Sequence, residues 1–148
     1  MNWKALLAAR SVQAHKTSVK EISALRKLVA RDMADAGVSG LSADRRFATV
    51  YNAVLQLSKM AIACSGYRVT TGAGHHQKTF EAVKAALGKA VSSYADYFET
   101  CRRKRNLIDY DVADVATDTE ADEVVEKAHE FQALIEDWIE KNYPAYRA

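Results

Sequence analysis

The chain has 148 residues, of which 49% are hydrophobic, with one Pro and six Gly among them. That length makes one domain, residues 1–148, with room for a real core, and abundant Ala and Leu beside so few helix breakers favour an all-α fold. The net charge is only +2, and no apolar run approaches 18 residues, which excludes a membrane-spanning helix.

The charge is unevenly placed. Residues 1–106 hold 18 Lys/Arg and 7 Asp/Glu, whereas residues 107–148 hold 3 and 12, so the two parts carry +11 and −9. Either a basic bundle docks its own acidic C-terminal helix, or a basic surface awaits an anionic partner. The start, Met1 to Arg10, has too short an apolar run for a signal peptide. Cys64 and Cys101 are isolated and read as small core residues kept reduced, which predicts a cytoplasmic protein.

In chain order, Trp3, Leu6, Leu7 and Arg10 share one side of a first helix over 3–16. Ser18 and Glu21 have capping-box spacing and open a second helix over 19–36. Its stripe is Ile22, Leu25, Val29, Met33 and Ala36, and Gly37 stops it. Ser42 caps a third helix, with Asp44 in its first turn. Phe47, Val50, Tyr51, Val54, Leu57, Ala61 and Cys64 mark its core face, and it ends near Gly66. The stretch 53–64 is apolar on more than one side, so this helix is central or is covered by a second subunit.

Residues 66–74 form the longest loop and the only Gly-rich one. They lack the Lys-Ser/Thr pair of a phosphate cradle. His75-His76-Gln77 opens a fourth helix with Phe80, Val83 and Leu87 inward, and Gly88 kinks or ends it. A fifth helix runs over 89–107, followed by a short acidic loop at 112–118. Thr119, with Asp122 three residues on, caps a last helix striped by Val124, Ala128, Phe131, Ile135, Trp138 and Ile139. Pro144 lies beyond its end. The prediction is an up-and-down bundle of five to six helices.

The fifth helix carries the chemistry. Val91, Tyr94, Phe98 and Cys101 form its apolar series, and the next step of three or four residues is Arg105. Arg105 therefore continues the buried stripe, while Arg103 and Lys104 turn toward solvent. A guanidinium aimed at an interface needs a partner, because an unpaired buried charge is expensive. Asp109, one turn on, is the simpler partner; a phosphate, which the planar fork fits, is the other. Arg102, Arg103 and Lys104 complete a basic run that is either a solvated turn or a nucleic-acid contact.

The stretch Arg105-Asn106-Leu107-Ile108-Asp109-Tyr110, inside 101–111, resembles the signature of HEPN domains. In those helical bundles of prokaryotic toxin and defence systems an Arg is followed four to six residues later by His. The present stretch is similar to the Asp-Tyr form of relatives that lack the His, and Tyr51-Asn52-Ala53 resembles part of another HEPN helix. The resemblance implies metal-independent RNA cleavage in a homodimer whose two motifs line one cleft. Arg105 would stabilise charge on the scissile phosphate and Asn106 would orient it. Tyr110 stands at the family's His position, and a phenol titrating near 10 is a poor base at neutral pH. His75 or His76 is the candidate replacement. The resemblance equally implies a non-catalytic module that binds RNA or a nucleotide, or docks a minimal nucleotidyltransferase antitoxin, which in some pairs adds AMP to a Tyr near the motif.

A third reading is a purely structural helical dimer joined through the third helix and the Arg105–Asp109 pair. His15, His75, His76, His129, Cys64 and Cys101 show no ligand spacing on a helix face, so neither a metal nor a cofactor is expected.

Overall fold

The computed structural model describes residues 2–110 and 112–148; Asp111, last of the motif stretch, and Met1 lie outside the described residues. Six helices follow in order: α1 Trp3–Ala8, α2 Val19–Ala36, α3 Ala43–Cys64, α4 His75–Leu87, α5 Lys89–Asp109 and α6 Asp118–Asn142. A 3₁₀ turn at Pro144–Tyr146 follows. Two short strands, β1 Val12–Ala14 and β2 Tyr67–Val69, form an antiparallel ribbon with Val12 opposite Val69 and Ala14 opposite Tyr67. No helix is long and apolar enough to cross a membrane among the described residues.

The all-α bundle is as expected, and α3 is its axis. Thirteen of its residues are buried, from Phe47 to Cys64, and it packs against α2, α4, α5 and α6. The all-round apolar stretch is thus covered within one chain. An aromatic column runs across the helices: Phe80 stacks toward Phe98 at 6.3 Å, and Phe98 meets Phe131 edge-on at 5.2 Å. Such pairs add directional preference to area burial. Gly88, at φ 70°, ends α4 and starts α5, a backbone state that L side chains avoid.

Three expectations are corrected. The helix of 3–16 stops at Ala8, Leu7 is 40% exposed, and residues 12–14 pair with part of the Gly-rich loop instead. A three-residue strand shows no period, and its partner lies far along the chain, so periodicity had nothing to register. Ser18 does cap α2, its Oγ accepting from the Glu21 N–H at 3.1 Å. The Glu21 carboxylate, however, takes hydrogen bonds from Thr17 and His15 rather than returning to the cap. At α6 the capping box is Thr117 with Glu120, not Thr119 with Asp122.

The acidic C-terminal helix docks on the basic part of the chain. Arg26 holds Glu136 through two hydrogen bonds at 2.8 and 2.9 Å and the Tyr146 carbonyl at 2.8 Å. Arg46 pairs with Asp122, and Lys104 with Glu120 at 2.7 Å. Asp44 accepts from the Ala116 N–H at 2.7 Å, tying the start of α3 to the approach to α6. The charge asymmetry is therefore partly self-neutralised.

The cap assignment is testable. Thr117→Ala should lower unfolding free energy by about 1 kcal/mol, while Thr119→Ala should change it by less than about 0.5 kcal/mol. Urea denaturation followed by circular dichroism measures both, and equal effects would reject the Thr117 cap.

Candidate functional site around Arg105

Helix α5 delivers Arg105 to its junction with α2 and α3. As the stripe predicts, Arg105 is drawn inward, its side chain 24% exposed. It bonds Asp109 at 2.7 Å, and its Cζ lies 5.7 Å from the centre of the Tyr51 ring. A cation over an aromatic face is attracted by the ring quadrupole. Yet Arg105 Nε is buried with no hydrogen-bond partner among the described residues, as is Glu99 Oε2. Unsatisfied buried polar atoms are rare in native proteins and point to a missing ligand or water.

Tyr51 is fully buried and is the hub of the site. Its hydroxyl lies 3.2 Å from His76 Nδ1 at the start of α4. Burial, aided by the Glu99 charge, pushes the phenol well above its usual value, so it stays protonated. Burial and then the charges of Arg105, His75, Lys59 and Arg102 hold the His76 imidazole below its usual value. At neutral pH the ring is neutral, and its Nδ1 either accepts from the Tyr51 hydroxyl or donates to it. His75, the preceding residue, is fixed by a carbonyl. Its Nδ1 lies 3.1 Å from the Thr70 carbonyl, which only accepts, so Nδ1 carries a hydrogen and a neutral ring has its lone pair on Nε2. The two ring centres are 6.0 Å apart.

On its other side Arg105 opens onto a polar cleft of about 450 Å³ with Arg31, Asp32, Asp35, Arg45, Thr49 and Asn52. Asp32 is buried and accepts from Arg31 at 3.1 Å and from Asn52 at 2.9 Å. Three arginines against two carboxylates, Asp32 and Asp35, give the lining one excess positive charge, and Arg45 has no carboxylate partner among the described residues. That equipment suits a phosphate oxygen set better than a cation.

The other motif residues divide. Asn106 is half-buried on α5, beside Arg105. Tyr110 is the last residue before the acidic loop and is 79% exposed, flanked by exposed Leu107 and Val112. Arg103 is exposed as expected, and Arg102 is engaged by Glu99 at 2.8 Å. Lys104, expected in solvent, is half-buried: its Nζ pairs with Glu120 and lies 3.4 Å from the Val115 carbonyl. It ties α5 to α6. Cys64 and Cys101 are free and buried, and burial pushes both thiols up to about 11. Among the described residues no three His, Cys, Asp or Glu gather as a metal site.

Sequence reasoning passed over Asp32 and Asn52. The signal was present: Asp32 lies three residues after Val29 and four before Ala36, so a carboxylate interrupts the buried stripe of α2 as Arg105 interrupts that of α5. The convergence of Tyr51, His76 and Arg105 left no such mark.

The His76 environment gives a pH prediction. Its folded pKa lies below the ordinary imidazole value of 6.5, so the unfolded chain binds the proton first as pH falls. The stabilising contribution is full above 6.5 and is lost as pH drops through the folded pKa. Arg105→Ala should raise the His76 pKa in an NMR titration, and His76→Gln should flatten the acid-side loss of stability. An unchanged His76 pKa in Arg105→Ala would show that the two groups do not sense each other.

No protein-family model, curated protein or solved structure matches this chain, so the chemistry of the site rests on its own residues.

Proposed function

We propose that this protein is an HEPN-type component of a toxin–antitoxin or defence system that acts on RNA, with Arg105 holding a phosphodiester. The observation that carries this reading is the half-buried Arg105 guanidinium, whose Nε has no partner among the described residues and whose cleft also presents Arg31 and Arg45. The resemblance of Arg105-Asn106 through Asp109-Tyr110 to the HEPN signature points the same way. Asp109 is the occupant that a phosphate would displace or share, since a guanidinium can serve two acceptors at once.

Acid–base chemistry falls to His76 in this reading, because exposed Tyr110 is a weak base. His76 meets the Tyr51 hydroxyl beside Arg105, and its neutral ring can take the proton of a ribose 2′-hydroxyl. That oxygen then bonds to phosphorus, the bond to the 5′-oxygen breaks, and the leaving oxygen takes a proton from water. Arg105 stabilises charge on the phosphoryl oxygens as it develops. No metal enters these steps.

One observation favours a second reading. Tyr110 is presented to solvent with Leu107 and Val112, away from the buried Tyr51 hub. That suits a docking or modification surface, as for a nucleotidyltransferase partner that transfers AMP to Tyr110, with RNA or nucleotide binding but no cleavage. A homodimer that brings two Arg105 clefts together is compatible with both readings.

RNA incubated with purified protein in EDTA separates them. Wild type should cleave, and Arg105→Ala should lose a factor of about 10²–10³ in rate while keeping its circular dichroism spectrum. Arg105→Lys should restore little, since an ammonium lacks the planar fork. Absence of cleavage together with absence of RNA binding by wild type would sink the proposal; binding alone would select the second reading.

A further inference from the structure

A second cleft lies against the ribbon and shares no lining residue with the Arg105 cleft. It encloses about 260 Å³ between α2, α3, β2 and the first residue of α4. One wall is apolar: Leu25 from α2, Ile62 and Ala63 from α3, and Val69 and the Tyr67 ring from β2. Tyr67 is braced by Trp3, the two rings stacked at 4.3 Å and 17°. A rigid aromatic beside aliphatic side chains is a surface for a flat ligand.

The opposite wall is polar and unusually well organised. His15 Nε2 lies 2.8 and 3.1 Å from the two Glu21 carboxylate oxygens, and Thr17 donates to the same carboxylate at 2.7 Å. This network is what drew Glu21 away from the capping box. His75 contributes an Nε2 that accepts, because its Nδ1–H is committed to the Thr70 carbonyl. Lys59 and Arg68 add two cations, and among the described residues neither has a carboxylate partner. Arg68 meets the Gln13 amide across the ribbon, and its charge also reaches Glu21. Two cations in a half-apolar cleft whose one carboxylate, Glu21, is already bonded by His15 and Thr17 select an anion with a flat, partly apolar body.

We propose that the ribbon cleft binds a nucleotide: its base lies against Tyr67, Ile62 and Val69, its sugar hydroxyl donates to His75 Nε2, and its phosphate meets Lys59 and Arg68. A nucleotide fits better than a simple carboxylate because the polar wall offers both donors and acceptors, as a base and sugar edge require. The cavity is compact, below the range typical of drug-sized ligands, so it takes one nucleotide unit and no more. That unit is either a free nucleotide or one residue of an RNA. The proposal is independent of the phosphate assigned to Arg105.

The test is titration of the full chain with AMP, monitored by NMR and calorimetry. Saturable binding is expected, with Tyr67 and His75 resonances shifting most. Lys59→Glu and Arg68→Glu, both folded by circular dichroism, should each weaken AMP at least tenfold. Arg105→Ala should bind AMP within twofold of wild type. Adenosine and inorganic phosphate, titrated separately, should each bind more weakly than AMP. A short RNA that displaces AMP identifies the unit as part of RNA; a short RNA that leaves AMP bound identifies a free nucleotide. The proposal is overturned by absence of saturation at about 10 mM AMP, a concentration beyond any millimolar affinity. It is equally overturned if phosphate alone binds as well as AMP, or if affinity is lost in Arg105→Ala and kept in Lys59→Glu.

Discussion

A buried phenol hydroxyl constrains this molecule more than any other single group. Tyr51 sits on the helix that every major neighbour packs against, and its O–H has to be satisfied without water. His76 satisfies it, which pins the start of α4 against α3. The other consequence concerns the Tyr51 ring face, which receives Arg105 from α5. One side chain thus joins three helices, and it does so with an imidazole and a guanidinium, two groups with chemistry to offer.

The same junction explains why the basic run on α5 is not a uniform surface. Arg102 is occupied by Glu99, Lys104 by Glu120, and Arg103 faces solvent. Arg105, bonded to Asp109, lies over the Tyr51 ring and lines the polar cleft with Arg31 and Arg45. Electrostatics across the chain follow a similar division. The acidic last helix absorbs Arg46 and Lys104 near its start and Arg26 further along. Exposed or half-exposed pairs of this kind contribute little free energy each, so their value lies in fixing how α6 sits on α2 and α3. Among the cations with no carboxylate partner in the described residues, Arg45 lines the Arg105 cleft, and Lys59 and Arg68 line the ribbon cleft.

The two adjacent histidines show how tertiary contacts create chemical difference from identical residues. His75 donates through Nδ1 to a carbonyl, while His76 sets Nδ1 against a phenol that can donate or accept. Neither assignment follows from residue type. Each depends on which group the fold sets against Nδ1.

Much of the architecture was legible beforehand. The apolar series of α2, α3, α5 and α6 repeat every three or four residues, and that period is a local property of any helix. The inward turn of Arg105 followed from the same count, whereas the apolar faces of α3 fitted either a central helix or one covered by a second subunit. The ribbon, the length of α1 and the true cap of α6 were not legible, because short strands have no period and neighbouring threonines are equivalent until one is bonded. The site divides along the same line. By itself the sequence determined which residues share a helical face, and so which polar groups are driven inward: Arg105, and also Asp32. Only the tertiary structure decided that Tyr51, His76 and Arg105 meet, that Tyr110 faces outward, and that residues 12–14 close a cleft with 67–69. Those contacts join positions distant in the chain, and their pairing is set by how helix faces pack together rather than by any spacing along one of them.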